Sequence, residues 1–101
     1  MTPSVRRCFG QPSWRLHSDH VDALITRLGG HIAPVTFRLR GGRAVQPYAV
    51  APWAERNETL PPELPALLRV LRGDFFCLPF GVNATPFRGK RYPPHGETAN
   101  R

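Results

Sequence analysis

Proline and glycine restrict the folding of this chain more than any other feature, since its 101 residues include twelve prolines and nine glycines. Both residue types interrupt helices and occupy turns, so the sequence favours short strands joined by tight turns. A chain of this length is enough for one small domain with a modest core. We therefore expect a single β-rich domain.

Two glycine pairs divide the first half of the chain into predicted strands. Val21 to Leu28 precedes Gly29-Gly30, a two-residue turn signal that is typical of a hairpin. Apolar and polar residues then alternate over 35–40, as in a strand with one buried and one solvated face. Gly41-Gly42 supplies a second turn. Residues 43–53 follow as a third strand, whose prolines indicate an edge position or a bulge.

The remaining segments are expected to be more varied. Residues 1–12 are interpreted as a loose N-terminal leader and residues 13–101 as the domain. Four leucines at i, i+3, i+4 and i+7 predict one short helix near 62–72, closed by a glycine. Residues 75–80 predict a buried strand, and residues 82–94 a long polar loop. The four leucines are Leu64, Leu67, Leu68 and Leu71.

The chain is strongly basic, with a net charge of +7 and a pI of about 11.0. Thirteen of its fourteen cations are arginines that are scattered along the sequence, and the densest group is Arg88, Lys90 and Arg91. A dispersed pattern of this kind favours a solvated basic surface over a nucleic-acid site.

Cysteine usage and hydropathy indicate an intracellular protein without a metal centre. Cys77 is interpreted as a small buried hydrophobe, and Cys8 lies in the polar N-terminal segment. The spacing of the two matches neither a disulfide framework nor a metal motif. No apolar run approaches the ~18 residues that a membrane helix needs. We expect a cytoplasmic chain with no cofactor, no metal and no membrane contact.

Three side chains are candidates for substrate binding. Arg72 offers a planar fork of donors to hydroxyls or carboxylates, although a cation at a helix C-terminus is the simpler interpretation. His95 lies between two prolines and a glycine, where an imidazole can contact a sugar hydroxyl or remain a surface loop residue. Asn100 can hydrogen-bond hydroxyls or serve turn chemistry. Glu97 is interpreted as a solvated carboxylate. No complete catalytic set is evident.

Three motifs occur in a characteristic order in the last third of the chain. They are Arg72-Gly73, then Cys77-Leu78-Pro79-Phe80-Gly81, then Pro94-His95-Gly96. This order resembles the aldose 1-epimerase family of galactose mutarotase-like proteins. Within that family it is most similar to the branch that resembles glucose-6-phosphate 1-epimerases. The match spans roughly residues 20–101.

The resemblance implies an all-β fold, an antiparallel β-sandwich of which this chain would form the N-terminal part. It also implies an isomerase of carbohydrate metabolism, which interconverts sugar anomers by acid–base ring opening. By position, Arg72 and His95 match sugar contacts of the family, and Asn100 completes the predicted substrate-binding set. The family's catalytic base would lie beyond residue 101, so we expect this fragment to bind an aldose without turning it over.

Two further hypotheses compete with carbohydrate binding. One is a small basic β-domain that binds single-stranded nucleic acid through arginines and nearby aromatic rings. The other is a non-enzymatic piece that self-associates through exposed strand edges. The residues of the nucleic-acid hypothesis are Arg38, Arg40, Arg43, Trp14, Phe37 and Trp53.

Overall fold

The computed structural model describes residues 3–79 and 82–101, and over this range the protein is mostly sheet. Five antiparallel strands form one open sheet in the order β1-β2-β3-β4-β5. Two short helices, α1 (Pro52–Glu55) and α2 (Ala66–Val70), follow the sheet. The β-rich, antiparallel prediction is therefore confirmed. The strands are β1 (Ser4–Cys8), β2 (Gln11–His17), β3 (Val21–Thr26), β4 (Ile32–Arg38) and β5 (Ala44–Val45).

The N-terminal segment is a strand where the sequence predicts a loose leader over residues 1–12. Ser4–Cys8 pairs with β2 in a register that sets Cys8 opposite Gln11. Phe9 and Gly10 join them with φ of 45° and 75°, as a two-residue hairpin turn requires. Because the first strand has a partner and a closing turn, residues 4–12 belong to the sheet.

The β3–β4 hairpin is confirmed, but β3 ends at Thr26 and not at Leu28. The Thr26 hydroxyl donates to the carbonyl oxygen of Leu28 at 2.6 Å and accepts the His31 amide at 2.9 Å. The Thr26 amide also donates to the carbonyl oxygen of His31 at 2.8 Å. These bonds close a four-residue turn over residues 27–30. The glycine pair that the sequence predicts as the whole turn forms only the last two of these residues.

The predicted third strand is at an edge, as its prolines indicate, but it is much shorter than residues 43–53. Only Ala44–Val45 pairs with β4. Pro52 begins helix α1 (Pro52–Glu55), a position that suits a residue without an amide hydrogen. Trp53 lies in this helix, and its indole nitrogen donates to the carbonyl oxygen of Leu68 at 2.6 Å.

Two predictions in the second half need correction. The predicted helix near 62–72 is reduced to α2 (Ala66–Val70), because Pro65 caps its N-terminus. Residues 75–79 form no strand, since the backbone there pairs only through isolated bridges. Phe76 is 69% exposed, and Cys77 is half-exposed instead of buried. Phe80, the last residue of that predicted strand, lies outside the described residues.

The core is small and unusually polar. It lies where the sheet meets α2 and a 3-10 turn at Thr98–Asn100. Among the described residues, three of the six buried apolar ones are alanines, so side-chain volume in the core is low. The buried apolar residues are Ala33, Val35, Ala54, Leu67, Val70 and Ala99, and the buried polar ones are Ser13, Thr26, His31 and Arg72. In the described part of the chain, neither helix has the length or apolarity to cross a bilayer.

Arg72 is the largest of the buried side chains and is only 1% exposed. Its Nε donates to the carbonyl oxygen of Val70 at 2.6 Å. Its Nη1 and Nη2 donate to the carbonyl oxygens of Cys8 and Phe9 at 2.9 and 3.1 Å. Burial lowers the pKa of this guanidinium, and the Cys8 thiol opposes the shift. Arg72 thus ties the β1–β2 turn to the end of α2.

We expect Arg72→Met to destabilise the protein by about 2–4 kcal/mol, because the change removes three charge-assisted bonds to carbonyl oxygens and leaves the Val70 carbonyl group without its donor. Urea unfolding followed by circular dichroism measures the loss. The matched control is Arg69→Met, since Arg69 is exposed and makes one 3.3 Å bond to Pro62. Equal midpoints for the two variants would contradict a structural role for Arg72.

Candidate functional site

Both the oxygen and the nitrogen of the Asn100 side-chain amide form hydrogen bonds with backbone groups. Its Oδ1 accepts the amide of Leu67 at 2.8 Å. Its Nδ2 donates to the carbonyl oxygens of Pro94 and Gly96 at 2.9 and 2.8 Å. The side chain therefore holds the loop around His95 against the start of α2. The side chains of Asn100 and Arg72 both bond to backbone groups of distant segments and so connect parts of the fold. Their assignment as sugar ligands stays a prediction.

His95 is the one member of the predicted set that is exposed. The Gly96 amide donates to the carbonyl oxygen of Pro93 at 2.9 Å, which closes a turn with Pro94 and His95 at its centre. His95 has a φ of 61°, so this is a type II turn with a histidine where glycine is usual. Such a residue costs of the order of 1–3 kcal/mol. The turn directs the imidazole outward.

The glycine after His95 is required by close backbone packing. Gly96 has a φ of 81°, and a Cβ there would overlap the carbonyl oxygen of Pro79. The Glu97 amide donates to the carbonyl oxygen of Leu78 at 3.0 Å. The His95 turn is therefore fixed to residues 78 and 79, and its Nδ1 lies 3.5 Å from the Sγ of Cys77.

Phe75 connects His95 to a buried histidine. The Phe75 ring packs edge-on to His95, with centroids 5.3 Å apart, and stacks on His31 at 4.3 Å. The Nε2 of His31 lies 3.0 Å from the carbonyl oxygen of Ala99, which can only accept, so Nε2 carries the proton. Nδ1 is buried without a partner within the described ranges. Burial lowers the pKa of His31, and the charges of Arg72 and His95 act in the same direction, whereas the Ala99 bond opposes them.

Phe75 also lines a shallow depression of about 270 Å³. Asp74 and Phe76 form part of its wall, together with Gly30 and Ile32. Asp74 is exposed, and over residues 3–79 and 82–101 its carboxylate has no hydrogen-bond or ion-pair partner. Asp74 and Phe76 are not among the residues that the sequence predicts for the site, because the apolar run over residues 75–80 predicts a buried strand. The run Phe75-Phe76 was the available signal.

Glu97, which lies near His95 in sequence, is committed to ion pairs. Its carboxylate lies 2.6 Å from the Nζ of Lys90 and 3.6 Å from the Nη1 of Arg101. The hydrogen bond from Lys90 is the main cause that lowers the pKa of Glu97. A carboxylate with a lowered pKa is a weaker base, so this environment does not suit general-base catalysis.

The residues of the nucleic-acid hypothesis do not form one surface of free groups. Arg38 donates to the carbonyl oxygen of Ser18 at 3.3 Å and to Asp22 at 3.5 Å. Arg40 and Arg43 are exposed, whereas the indole nitrogen of Trp53 is bonded within the fold. Trp14 is exposed, on strand β2.

Among the residues that the structure describes, no three histidine, cysteine or acidic side chains come together as a metal ion would require. Compared with family models, with curated proteins and with solved structures, the chain matches none of them. The resemblance to aldose 1-epimerases therefore stays a prediction.

The environment of His31 predicts a pH-dependent stability. Its pKa is lower in the folded state than the usual 6.5, so the unfolded chain binds the proton more tightly. Stability should be fully present above about pH 6.5 and should fall as the pH drops toward the lowered pKa. Unfolding free energies between pH 7.5 and 5 should show this slope in the native chain and a flatter one in His31→Phe. His20→Phe, at an exposed position, should keep the slope.

The backbone of His95 can be tested with two variants that both lack the imidazole. We expect His95→Gly to be more stable than His95→Ala by about 1 kcal/mol, because only glycine adopts a positive φ without strain. Thermal or urea unfolding of the pair measures the difference. Equal stability would show that residue 95 does not hold the left-handed conformation in solution.

Proposed function

We propose that this protein binds a saccharide at the depression formed by Asp74, Phe75 and Phe76, with His95 at its side. One observation carries the proposal: an exposed carboxylate without a partner lies beside a largely exposed aromatic ring in a depression of about 270 Å³. That volume is just below the range of about 300–1,000 Å³ that is typical of pockets for drug-sized ligands. It suits a small ligand such as one sugar ring.

The two side chains are complementary to the two surfaces of a sugar. An ionised carboxylate only accepts hydrogen bonds, and its two oxygens can accept from neighbouring hydroxyl groups at once. An exposed phenyl ring offers flat apolar surface against which the C–H face of a pyranose can pack. Asp74 would therefore select for hydroxyls while Phe76 selects for a ring.

His95 extends the site beyond the depression. Its imidazole is exposed and touches the edge of Phe75, which itself belongs to the wall of the depression. A neutral imidazole has one donor and one acceptor nitrogen, so it can bind a hydroxyl in either sense. This placement supports the sequence prediction for His95. For Arg72 and Asn100 the support is weaker, because a ligand would have to replace their backbone bonds.

We also propose that the chain has part of an aldose 1-epimerase-like sandwich fold. Of that family's activity, we propose only the binding of the sugar. The sheet has an exposed apolar region around Trp14 and Leu16 that a second sheet of a sandwich would cover. Catalysis is not part of the proposal, since Glu97 is held in ion pairs and the depression contains a single carboxylate. We infer binding of an aldose without interconversion of its anomers.

Single-stranded nucleic acid is the less supported alternative. Exposed Arg40 and Arg43 could contact phosphates. However, stacking needs free aromatic faces, and the indole of Trp53 is half-buried and hydrogen-bonded. In the described part of the chain, Arg40 and Arg43 do not line a common groove with an accessible aromatic ring.

The decisive experiment is an NMR titration of the labelled chain with D-glucose, D-galactose and glucose 6-phosphate, with glycerol as the non-ring control. We expect amide shifts to concentrate at residues 30–32 and 74–76 and around His95. Asp74→Asn and Phe76→Ala should each weaken binding at least about tenfold, whereas Asp19→Asn, in the exposed β2–β3 turn, should not.

Three outcomes would overturn the proposal in different ways. Absence of shifts with every sugar would remove carbohydrate binding altogether. Shifts centred on Arg72 and Asn100 would place the sugar at the originally predicted residues and not at the depression. Faster mutarotation of glucose in a polarimeter, dependent on His95, would show that the chain carries its own catalytic groups.

A further inference from the structure

Strand β1 is a free edge of the sheet. It pairs with β2 on one side and has no neighbour on the other among the described strands. Ser4 to Arg7 are all exposed. A long exposed edge presents unpaired amide and carbonyl groups, to which another extended chain can bind. The opposite edge, β5, is only two residues long and offers far less backbone.

The hairpin register shows which backbone groups of β1 are free. Cys8 and Gln11 flank a two-residue turn, so they form a hydrogen-bonded pair. Hydrogen-bonded and non-bonded pairs alternate along an antiparallel ladder. Val5 and Arg7 therefore direct their N–H and C=O groups away from β2. The pairing of Arg7 with Pro12, which has no amide hydrogen, agrees with this pattern.

The two faces beside this edge differ in chemistry. Val5 lies opposite Trp14, and both are exposed on the face that bears a depression of about 410 Å³ lined by Pro3, Trp14, Leu16 and Ile25. Arg6 is exposed on the other face, whereas Arg7 shares the face of Val5 at the end next to the hairpin turn. A strand added here would place alternate side chains beside Val5 and Trp14 on one face and beside Arg6 on the other.

Charge at this edge is entirely positive. The first 18 residues include Arg6, Arg7 and Arg15 but no aspartate or glutamate. Arg15 is neutralised by Asp22 at 2.5 Å, whereas Arg6 and Arg7 form no ion pair within the described ranges. Two copies of β1 that paired with each other would bring these arginines together, which is unfavourable. The complementary partner is acidic.

We propose that β1 binds an extended peptide in which apolar and acidic residues alternate, by addition of a sixth strand to the sheet. The peptide backbone bonds to Val5 and Arg7. Its apolar side chains pack beside Val5 and Trp14, and its acidic side chains face Arg6. Main-chain bonds supply affinity in this mode, and the alternating side chains supply specificity.

The test uses the whole chain and a fluorescein-labelled hexapeptide of alternating valine and glutamate, followed by fluorescence anisotropy at low salt. In an antiparallel arrangement the peptide valines lie opposite Val5 and Arg7 and bond to them. N-methylation of the valine amides should therefore abolish binding, whereas N-methylation of the glutamate amides, which point outward, should change it less than threefold.

Three variants separate the backbone from the charge. Arg6→Gln removes the charge that faces the peptide glutamates and should weaken binding a few-fold. Arg7→Pro removes an outward amide and should weaken binding at least tenfold relative to Arg7→Gln. Both Arg7 variants lose the Arg7 side-chain bond to the carbonyl oxygen of Gly10, and the Arg7 amide makes no bond to β2, so we expect the same unfolding midpoint for the two. The charge-matched control is Arg43→Gln. Arg43 directly precedes β5, at the opposite edge of the sheet, so this variant should bind the peptide like the native chain.

The proposal fails if no binding is seen up to 1 mM peptide, or if N-methylation of the valines has no effect. It also fails if a decathymidylate strand binds at the same site more tightly than the peptide, since that would identify a nucleic-acid surface. Sedimentation of the chain alone as a dimer that Arg7→Pro dissociates would show instead that the edge pairs with a second copy.

Discussion

A buried guanidinium, which bonds to carbonyl oxygens and to no carboxylate among the described residues, joins the sheet to the segment that follows it. Arg72 reaches carbonyl groups from the β1–β2 turn and from the end of α2, so one side chain connects segments more than sixty residues apart. A buried charge is tolerated only when its donors are bonded, and carbonyl dipoles meet that need here. Phe9 adds its ring, whose centroid lies 5.9 Å from the guanidinium carbon. Gly73 follows because a Cβ would overlap the carbonyl oxygen of Ile32.

The fold depends on such polar contacts because its apolar core is small. Alanines supply half of the buried apolar residues, while large apolar side chains remain at the surface. Thr26 closes a turn, Asn100 secures a loop, and His31 binds the last turn through the carbonyl oxygen of Ala99. Interior polar bonds therefore define much of the structure, and several large apolar side chains stay exposed, which is the surface that the proposed peptide would cover in part.

The sequence predicts the central part of the fold well, because that part rests on local signals. Glycine pairs and the alternation over 35–40 are enough to place the β3–β4 hairpin. The N-terminal strand could not be predicted in this way. Its pairing is set by the turn at Phe9-Gly10 and by a contact with Arg72, which is distant in the sequence. The apolar run predicts a buried strand over residues 75–80, but residues 75–79 form none, since an apolar run does not show whether a partner strand exists.

For the candidate site, the sequence identifies residues that matter in the structure but does not give the role of each one. Arg72, His95 and Asn100 are all important in the structure, but two of them act on the backbone. Asn100 binds the carbonyl groups on both sides of His95, and this fixes a turn that holds His95 at a φ of 61°. Glycine at position 95 would relieve that strain. A strained histidine with an exposed ring, held by a dedicated asparagine, supports the proposed role of the imidazole in ligand binding. Asn100 is therefore best described as the residue that positions His95.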